Sequence, residues 1–519
     1  MTDPRPPADH GRRRLLRCAC CTLPLLALPR AAQATLAGDG IGRLPALGDA
    51  AQGQLSPAAE MRLGERIMEQ IRNDPDYLDD ALLRQYLQDI VDRMTPAADA
   101  TAEPEAPKTF DVELLRDPTF NAFALPGGFI CMHTGTVIAA RGQDQMAAVF
   151  AHEMSHITQR HVEQKLAHAG SESLISVGSL VLAILAGVSG NGNAAEGLAM
   201  GGQAAAIDNT LAFSRNVERD ADRVGIAVLR ASGYPPQSMA SMLERLDSLS
   251  RLDNADVFAF LQDHPLDSER IADAQARGGD QPLPPDRSLP FWLMNARARV
   301  LTLTHTADLR HLAAVFASPG ADLPTQFPAQ HAAWAYGEAA TWHAVGDTAR
   351  ARAALQRARR LCDGFDALAQ LPLDLLDGDL LLASGRADAA LTLARALRVR
   401  APKSRAALHL QARALMALPK PGAAHDFLRD QVVLHPRDVE LWQWLAQACA
   451  ASGQVAAQHR ATAEAYALRG NLEGAIVQLK IAQKIPDTNY FEASIVDARL
   501  AAMQRQLARD KALDKLLPQ

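Results

Sequence analysis

The sequence predicts a mainly α-helical protein: an α+β domain with a small sheet, followed by an all-α region of paired helices. Alanine and leucine are abundant while aromatic residues make up only 5% of the chain, which favours helices over sheet. Two short strand-like runs lie between residues 110 and 133, and helical patterns broken by recurring glycines fill the second half. A chain of 519 residues is also too long for one hydrophobic core, so two or three domains are expected.

Charge and cysteine content exclude several classes of protein. A net charge of −6 without a basic groove pattern argues against a general nucleic-acid binder. Hydrophobic content of 48% and charged content of 22% are ordinary for a globular protein. The spacing of the six cysteines fits neither a metal-binding motif nor a disulfide framework, so those beyond the first thirty residues are predicted to be isolated, partly buried thiols.

Residues 1–34 are predicted to be a cleavable export signal. Arginines between positions 12 and 17 give a basic start, an apolar run follows from Leu15 to Leu28, and Ala32-Gln33-Ala34 has the small-x-small pattern of a cleavage site. The arginine cluster also resembles a twin-arginine signal, so the general secretory route and the twin-arginine route both stay open. A disordered basic tail is the alternative. Residues 35–55 are rich in Gly and Ala and are predicted to be a linker.

Two helices and a loop are predicted to follow the linker. Ser56 can cap the first helix, Pro57 suits its first position, and Glu60 completes a capping box. A second helix is predicted from Pro75 to Met94. The segment from Pro96 to Lys108 is rich in Pro and Ala and is predicted to be a loop.

A small sheet is predicted next. Phe110 to Leu115 and Phe129 to His133 have the residue types of short strands. Asn121 to Gly128 lies between them, ends in Pro-Gly-Gly and is predicted to be a turn. Gly135 then leads into a helix.

The stretch from Ala147 to His156 is predicted to be the helix around which the functional site forms. It contains His-Glu-x-x-His, and residues four apart lie on nearly the same face of an α-helix. His152 and His156 can therefore direct two imidazoles at one zinc ion, with Glu153 placed to act as general base toward a water. A strand beside such a helix can pair with extended substrate, although the sequence leaves open which strand lies at the edge. An accidental match to so short a motif is the alternative.

Residues 173–195 carry no charge. Their apolar part, Leu174 to Val188, would span about 22 Å as a helix, which is short of the roughly 30 Å hydrocarbon core of a bilayer. The segment is therefore predicted to be a buried helix followed by a Gly-rich stretch, and not a membrane span. Because it lies between candidate metal-ligand segments, residues 173–210 are also a candidate active-site lid.

Another helix of the site is predicted from Leu211 to Gly233. Glu218 and Asp222 are four residues apart and share a face. Glu218 can complete a zinc site of two histidines and one glutamate. Asp222 can accept a hydrogen bond from a ligand histidine and fix its tautomer. The alternative is an acidic, solvated helix face, which is the usual setting of a glutamate.

His264 and Arg270 are two further candidates, in the segment that begins Asp263-His264-Pro265. Together they could stabilise the oxyanion that develops when a peptide carbonyl is attacked. His264 could instead occupy the open position on zinc and silence the site. The sequence leaves both roles open.

These motifs together resemble those of the gluzincin metallopeptidases that include HtpX and the CAAX prenyl proteases. The resemblance covers roughly residues 56–277 and rests on four motifs in the same order. They are Asn121 to Gly128, His152 to His156, Glu218 to Asp222, and His264-Pro265 with Arg270. It implies a zinc metallopeptidase domain that hydrolyses peptide bonds with one Zn2+ per chain, and it makes Glu218 the third zinc ligand.

The resemblance also implies a particular branch of that family. Membrane members have long hydrophobic spans, which are missing here, so the chain resembles an exported, soluble branch with a tetratricopeptide tail. That branch implies a periplasmic location, with misfolded or stalled outer-membrane proteins and their assembly machinery as partners, no nucleic acid, and at most peripheral membrane contact. One departure lies on the turn before the metal helix. The family often has two acidic residues there, whereas this chain has Asp144 between Gln143 and Gln145.

Paired helices are predicted for the C-terminal half. Residues 278–288 are rich in Gly and Pro and are predicted to be a linker, and residues 289–519 a tetratricopeptide-like superhelix. Pro402 and Pro436 are 34 residues apart, which is the tetratricopeptide period. Other spacings are irregular, so a plain α-helical domain is the alternative. Stacked pairs would form a concave surface that holds a substrate protein or an assembly partner.

The sequence thus predicts an exported zinc endopeptidase with a repeat domain that recruits protein substrates. A chaperone or assembly-binding module in which proteolysis is secondary is the rival hypothesis. Membrane-embedded prenyl-protein processing is a third.

Overall fold

The computed structural model describes residues 57–162, 164, 215–251, 260–261, 264–320, 323–486 and 489–514. The predicted export signal, the linker at 35–55, the cap at Ser56 and the candidate lid at 173–210 lie outside the described residues. No helix within the described ranges is both long and apolar enough to cross a membrane.

The first half of the described chain combines three strands with seven helices, which confirms the predicted α+β class. In chain order the elements are α1 (Pro57–Ile71), α2 (Ala81–Thr101), β1 (Asp111–Leu115), β2 (Ala122–Leu125), β3 (Phe129–His133), α3 (Thr134–Ala139), α4 (Gln143–Thr158), α5 (Arg215–Ala231), α6 (Ser238–Ser250) and α7 (Ser268–Gly278). The helix α4 contains the His-Glu-x-x-His motif, and α2, α5, α6, β2 and β3 pack against it.

The sheet has the strand order β1-β3-β2, with β1 parallel and β2 antiparallel to β3. The predicted turn over 121–128 is wrong for Ala122–Leu125, which form β2. Pro126, Gly127 and Gly128 alone reverse the chain, so the four residues before them can pair with β3. Gly128 has a φ of +93°, and a Cβ there would lie 2.2 Å from the Thr109 carbonyl oxygen, so only glycine fits.

The bounds of α2 differ from the predicted helix. The sequence predicts a helix from Pro75 to Met94, whereas α2 begins after Asp80, whose carboxylate accepts a hydrogen bond from the Leu83 N–H at 2.8 Å. The prediction ends the helix before Pro96 because proline removes a hydrogen bond and crowds the preceding turn. Burial of Met94 and Ala98 in the core holds the helix together across this proline, so the predicted loop begins later.

Glu60 makes two contacts besides the capping box that the sequence predicts. Its buried carboxylate accepts hydrogen bonds from the Gly127 N–H and from the Arg160 guanidinium, both at 3.3 Å. Glu60 therefore connects α1 to the β2–β3 turn and to the residues that follow α4.

Every described element from residue 289 onward is a helix, which confirms the predicted all-α region. These are α8 (Leu289–Thr302), α9 (Thr306–Ala317), α10 (Pro328–Val345), α11 (Thr348–Leu361), α12 (Leu371–Ala383), α13 (Ala387–Arg400), α14 (Arg405–Met416), α15 (Pro421–Leu434), α16 (Val439–Ala451), α17 (Val455–Leu468), α18 (Leu472–Ala482) and α19 (Tyr490–Asp514). The last eight form four successive pairs, whose first helices begin 34, 34 and 33 residues apart. This spacing agrees with the tetratricopeptide period.

The segment predicted as a linker, residues 278–288, is hydrogen-bonded to the start of α4. The Asp286 carboxylate accepts a hydrogen bond from the Gln143 N–H at 2.7 Å, at the start of α4, where Gly142 has no side chain to cap the helix. The Asp286 carbonyl accepts a hydrogen bond from the Trp292 indole at 2.8 Å. One hydrophobic cluster extends from Leu78 to Leu410, so the residues before and after this segment share a core.

Ion pairs also join the C-terminal helices to the start of the described chain. Arg405 of α14 donates to both carboxylate oxygens of Asp79, at 2.5 and 2.9 Å, and to Asp438. Arg437 contacts Glu65 of α1 at 2.7 Å. These contacts hold the paired helices against α1 and the segment before α2.

Candidate metal centre

The two histidines of the motif lie on a helix that is buried on all sides. Every residue of α4 from Gln145 to Thr158 is buried, as expected for a helix that neighbouring elements surround. His152 and His156 are completely buried, and their Nε2 atoms are 3.1 Å apart. Helical spacing therefore directs both imidazoles to one point, as the sequence predicts.

Glu218 reaches the same point from α5. Its Oε2 atom lies 3.3 Å from Nε2 of His152, and its Oε1 atom lies 3.6 Å from Nε2 of His156. Gly225 favours the close approach of α5 to α4, because a Cβ there would lie 3.2 Å from the Ala151 carbonyl oxygen and would displace the Met239 side-chain methyl, 2.7 Å away. The acidic helix face that the sequence allowed as an alternative is buried here, since Glu218 has no exposed surface.

His264 is the fourth member of the cluster. Its Nδ1 atom is 3.3 Å from Nε2 of His152 and 3.2 Å from both carboxylate oxygens of Glu218. The ring of Phe260 stacks on the His264 imidazole, with centroids 4.6 Å apart and planes 26° apart. His264 is therefore close enough to the other three residues either to bind the metal or to stabilise an oxyanion, and both roles stay open.

These four residues fit a metal ion of the zinc type. Ligands bound tetrahedrally at zinc distances lie roughly 3.3–3.6 Å from one another. The donor atoms of the four side chains lie within 4.8 Å of one another, and the contacts between neighbours range from 3.1 to 3.6 Å. Imidazole and carboxylate are the ligands that zinc takes in peptidases. No second cluster of this kind is found among the described residues.

Glu153 lies beside the cluster and against strand β2. It is fully buried, no described side chain hydrogen-bonds its carboxylate, and its backbone contact is with Ala124 of β2. Oε1 lies 3.8 Å from Nε2 of His264. Burial raises the pKa of Glu153, against the opposing effect of His264 and His152. A carboxylate with a raised pKa and unused lone pairs is suited to accept a proton from a water.

Asp222 and Arg270 orient the ligands from behind. Asp222 lies 3.0 Å from Nδ1 of His152, where its carboxylate can accept that N–H. The Arg270 guanidinium donates to both Asp222 oxygens, at 2.7 and 2.9 Å, to the Pro265 carbonyl at 2.9 Å, and contacts Glu218 at 3.0 Å. With only 1% of its surface exposed, Arg270 directs its donors into the protein. These contacts favour a positioning role for Arg270 over the oxyanion role that the sequence raised.

The electrostatics of the cluster favour a bound cation. Burial would raise the pKa of Glu218, but His264 and His152 lower it well below the usual range, so the carboxylate is ionised. Burial would lower the pKa of His152, yet its bonds to Asp222 and Glu218 raise that pKa to about 10. Burial and the neighbouring histidines keep the pKa of His156 well below its usual value, which leaves it as the neutral imidazole that binds metals.

Two residues at the centre were not identified from the sequence. His161 is buried, and its Nδ1 atom lies 3.1 Å from Nδ1 of His156. Asp220 of α5 lies 3.6 Å from Nε2 of His161. The available signals were a histidine five positions after His156 and an aspartate midway between Glu218 and Asp222.

Replacement of Arg270 by methionine should destabilise the metal-free chain strongly. The change leaves the buried carboxylates of Asp222 and Glu218 without their guanidinium, and breaking a buried ion pair in this way costs about 3–5 kcal/mol. The measurement is urea unfolding of chelator-treated protein. Arg277→Met on the exposed face of α7 is the matched control, expected within about 0.5 kcal/mol of wild type. Equal unfolding midpoints for the two variants would contradict the assigned role.

Comparison with known proteins shows that this part of the chain is similar to peptidases. Residues 81–278 match peptidase family M48, a range that contains every residue of the centre described above. The chain is 29% identical over 486 residues to the beta-barrel assembly-enhancing protease of Escherichia coli strain K12, covering 92% of this chain and 94% of that protein. The Yersinia pestis protein of the same name is 29% identical over 490 residues. The mitochondrial metalloendopeptidase OMA1 of Schizosaccharomyces pombe is 31% identical over 162 residues, or 31% of this chain and 44% of that one.

Proposed function

We propose, from the premise that residues 81–278 form a metallopeptidase domain of family M48, that this chain is an exported zinc endopeptidase acting on protein substrates. One observation carries the proposal. The donor atoms of His152, His156 and Glu218 converge at the spacing of tetrahedral zinc ligands, beside a buried Glu153 carboxylate that no described side chain hydrogen-bonds.

The side chains take complementary roles in this proposal. His152, His156 and Glu218 would hold zinc, which supplies Lewis acidity toward water and toward the scissile carbonyl when bound. Glu153 accepts the proton of the attacking water and delivers it to the departing amine. Asp222 accepts the Nδ1–H of His152 and so presents the Nε2 lone pair to the metal.

The edge strand β2 is the proposed docking site for the substrate backbone. β2 has only one neighbour in the described sheet, β3, and it packs beside α4 near Glu153. A strand with a free edge can pair with an extended peptide through backbone hydrogen bonds. This arrangement supports β2 over β1 as the substrate-pairing strand, because β2 is the edge that lies against the metal helix.

His264 is proposed to occupy the fourth position around the metal in this conformation. Its Nδ1 atom has the same spacing to His152 and Glu218 as the other ligand atoms have to one another. A substrate would have to displace it. His264→Ala should therefore raise the rate of peptide cleavage severalfold at unchanged zinc content, measured beside His305→Ala, an exposed histidine at the start of α9. A fall of about 10²-fold or more would assign His264 to oxyanion stabilisation instead.

The biological setting is proposed from the relatives, the predicted export signal and the paired C-terminal helices. Proteins named beta-barrel assembly-enhancing protease align with 92% of this chain, so the similarity includes the paired helices as well as the peptidase domain. Together with the predicted export signal, this supports a periplasmic location and outer-membrane proteins or their assembly machinery as partners. The tetratricopeptide-like pairs are proposed to recruit them. A chaperone or assembly-binding role with secondary proteolysis is the second candidate, because helices of this kind make up the chain from residue 289 onward wherever it is described.

Cleavage of an unfolded protein by the mature chain tests the enzymatic proposal. We expect fluorescently labelled casein to be cleaved, cleavage to stop after treatment with a strong chelator, and one equivalent of zinc to restore it. Magnesium serves as the control for restoration, because it prefers an octahedral set of oxygen ligands. Cleavage that persists in the chelator-treated protein would rule out a metal-dependent mechanism.

A further inference from the structure

His161 contacts the metal centre from outside the four-residue cluster. Its imidazole meets that of His156 edge to face, with ring centroids 5.1 Å apart and Nδ1 atoms 3.1 Å apart. Its Nε2 atom faces Asp220 of α5 at 3.6 Å. We infer that His161 and Asp220 form a relay, a hydrogen bond from His156 to His161 followed by an electrostatic contact from His161 to Asp220, that fixes the tautomer and orientation of His156 and so determines how firmly the site retains its metal. This inference rests on the proposed zinc site.

The geometry indicates which ring nitrogen of His156 and of His161 carries the proton. His156 turns Nε2 toward Glu218 and His152, so this nitrogen is the one available to a metal, and the ring proton must lie on Nδ1. That Nδ1–H is donated to Nδ1 of His161, because two facing ring nitrogens bond only when one of them accepts. The proton of His161 then lies on Nε2, and the Asp220 carboxylate, 3.6 Å away, stabilises it electrostatically without a hydrogen bond of normal length.

The backbone makes an unusual turn to deliver His161 to this position. On a continued helix, a residue five positions after His156 would point about 140° away from it. α4 ends at Thr158, and Arg160 adopts a left-handed conformation with φ of +53°. For a residue other than glycine this conformation is strained and uncommon. Glu60 and Glu105 hold the Arg160 guanidinium at 3.3 and 3.1 Å, so ion pairs support the turn that returns His161 to His156.

The relay gives each histidine of the motif its own carboxylate. Asp222 reaches His152 directly, at 3.0 Å, whereas Asp220 reaches His156 through His161. Both aspartates lie on α5, the helix that also provides Glu218. A single helix therefore contributes one metal ligand and the support of the other two. Outer partners of this kind are worth about 10–100-fold in metal affinity.

The experiment measures zinc release from the loaded mature chain into excess colorimetric chelator, together with urea unfolding of the metal-free chain. His161→Leu removes the acceptor and should release zinc about 10–100-fold faster than wild type. His161→Asn places an amide oxygen near the position of Nδ1 and should restore most of the wild-type retention. Asp220→Ala should accelerate release by a smaller factor. The double variant should match His161→Leu alone, because the two residues act in series. Asp273→Ala, an exposed residue of α7, is the surface-charge control.

The outcomes separate this inference from the proposed function. Unchanged zinc release by His161→Leu, or by Asp220→Ala, overturns the relay. If His161→Leu lowers the unfolding midpoint of the metal-free chain and zinc release stays at the wild-type rate, His161 is merely structural and the relay also fails. Asp220 is a third exposed, so its variant tests the inference even if His161→Leu does not fold. A wild-type chain that binds no zinc, or a Glu218→Ala variant that binds it equally well, defeats the proposed function instead.

Discussion

Glu153→Gln should lower peptide cleavage by roughly 10²–10⁴-fold, the usual contribution of a general base. The amide keeps the size of the side chain but cannot take a proton from water. Because no described side chain hydrogen-bonds the buried Glu153 carboxylate, and its contact with His264 is 3.8 Å long, the isosteric amide should be tolerated, and folding and zinc content should match those of wild type. The measurement is kcat/KM on a fluorogenic peptide, beside zinc content and the unfolding midpoint.

Glu244→Gln is the matched control for this prediction. Glu244 is an exposed residue of α6 whose carboxylate accepts a hydrogen bond from the Gln275 side chain, and its substitution should leave activity unchanged. Wild-type activity in the Glu153 variant would remove this residue from the mechanism. Glu153→Gln also distinguishes the two proposed functions, proteolysis and chaperone or assembly binding, in cells. Full cellular function without cleavage would favour the chaperone or assembly-binding role.

Glu218→Ala should cost the chain most of its zinc. The substitution removes one ligand and the buried negative charge that compensates the metal, leaving three imidazoles around it. We expect affinity to fall by more than the roughly 10–100-fold that loss of an outer partner causes, and activity to fall with it. Zinc content after dialysis against a chelator of fixed affinity is the measurement, with about one zinc per chain expected for wild type.

The control for this prediction lies on the neighbouring helix. Glu269 of α7 is 73% exposed and paired with Arg219, so Glu269→Ala should retain full zinc content. A Glu218→Ala chain that holds as much zinc as this control would exclude Glu218 from the ligand set, and the arrangement of four donors would then need another explanation.

The parts of the site that the sequence predicts are those set by local geometry. His152 and His156 converge because residues four apart share a helix face, and the same spacing places Glu218 and Asp222 together on α5. The family resemblance supplied the link between the two helices. The errors were local as well. The sequence predicts a turn where β2 forms and ends the second helix at Met94, because neither pairing with a later strand nor packing against α4 can be detected in a short window of sequence.

Other features required the packed structure. Arg270 binds the carboxylates of Asp222 and Glu218, which are far from it in sequence, and so it supports the ligands instead of facing a substrate. His264 is the fourth member of the cluster although it follows His152 by more than a hundred residues in the sequence. His161 joins it through a left-handed turn at Arg160 that no propensity scale predicts.

The sequence by itself determined the identity of the reacting groups and the helices that present them, since periodicity and residue chemistry are local properties. Only the tertiary structure decided which nitrogen faces which oxygen. Those distances depend on how closely α5 can approach α4, which the missing side chain of Gly225 permits, and on a backbone reversal that the contacts of Arg160 with Glu60 and Glu105 support. Contacts between residues far apart in the chain form through packing, and their geometry is fixed by the fold as a whole.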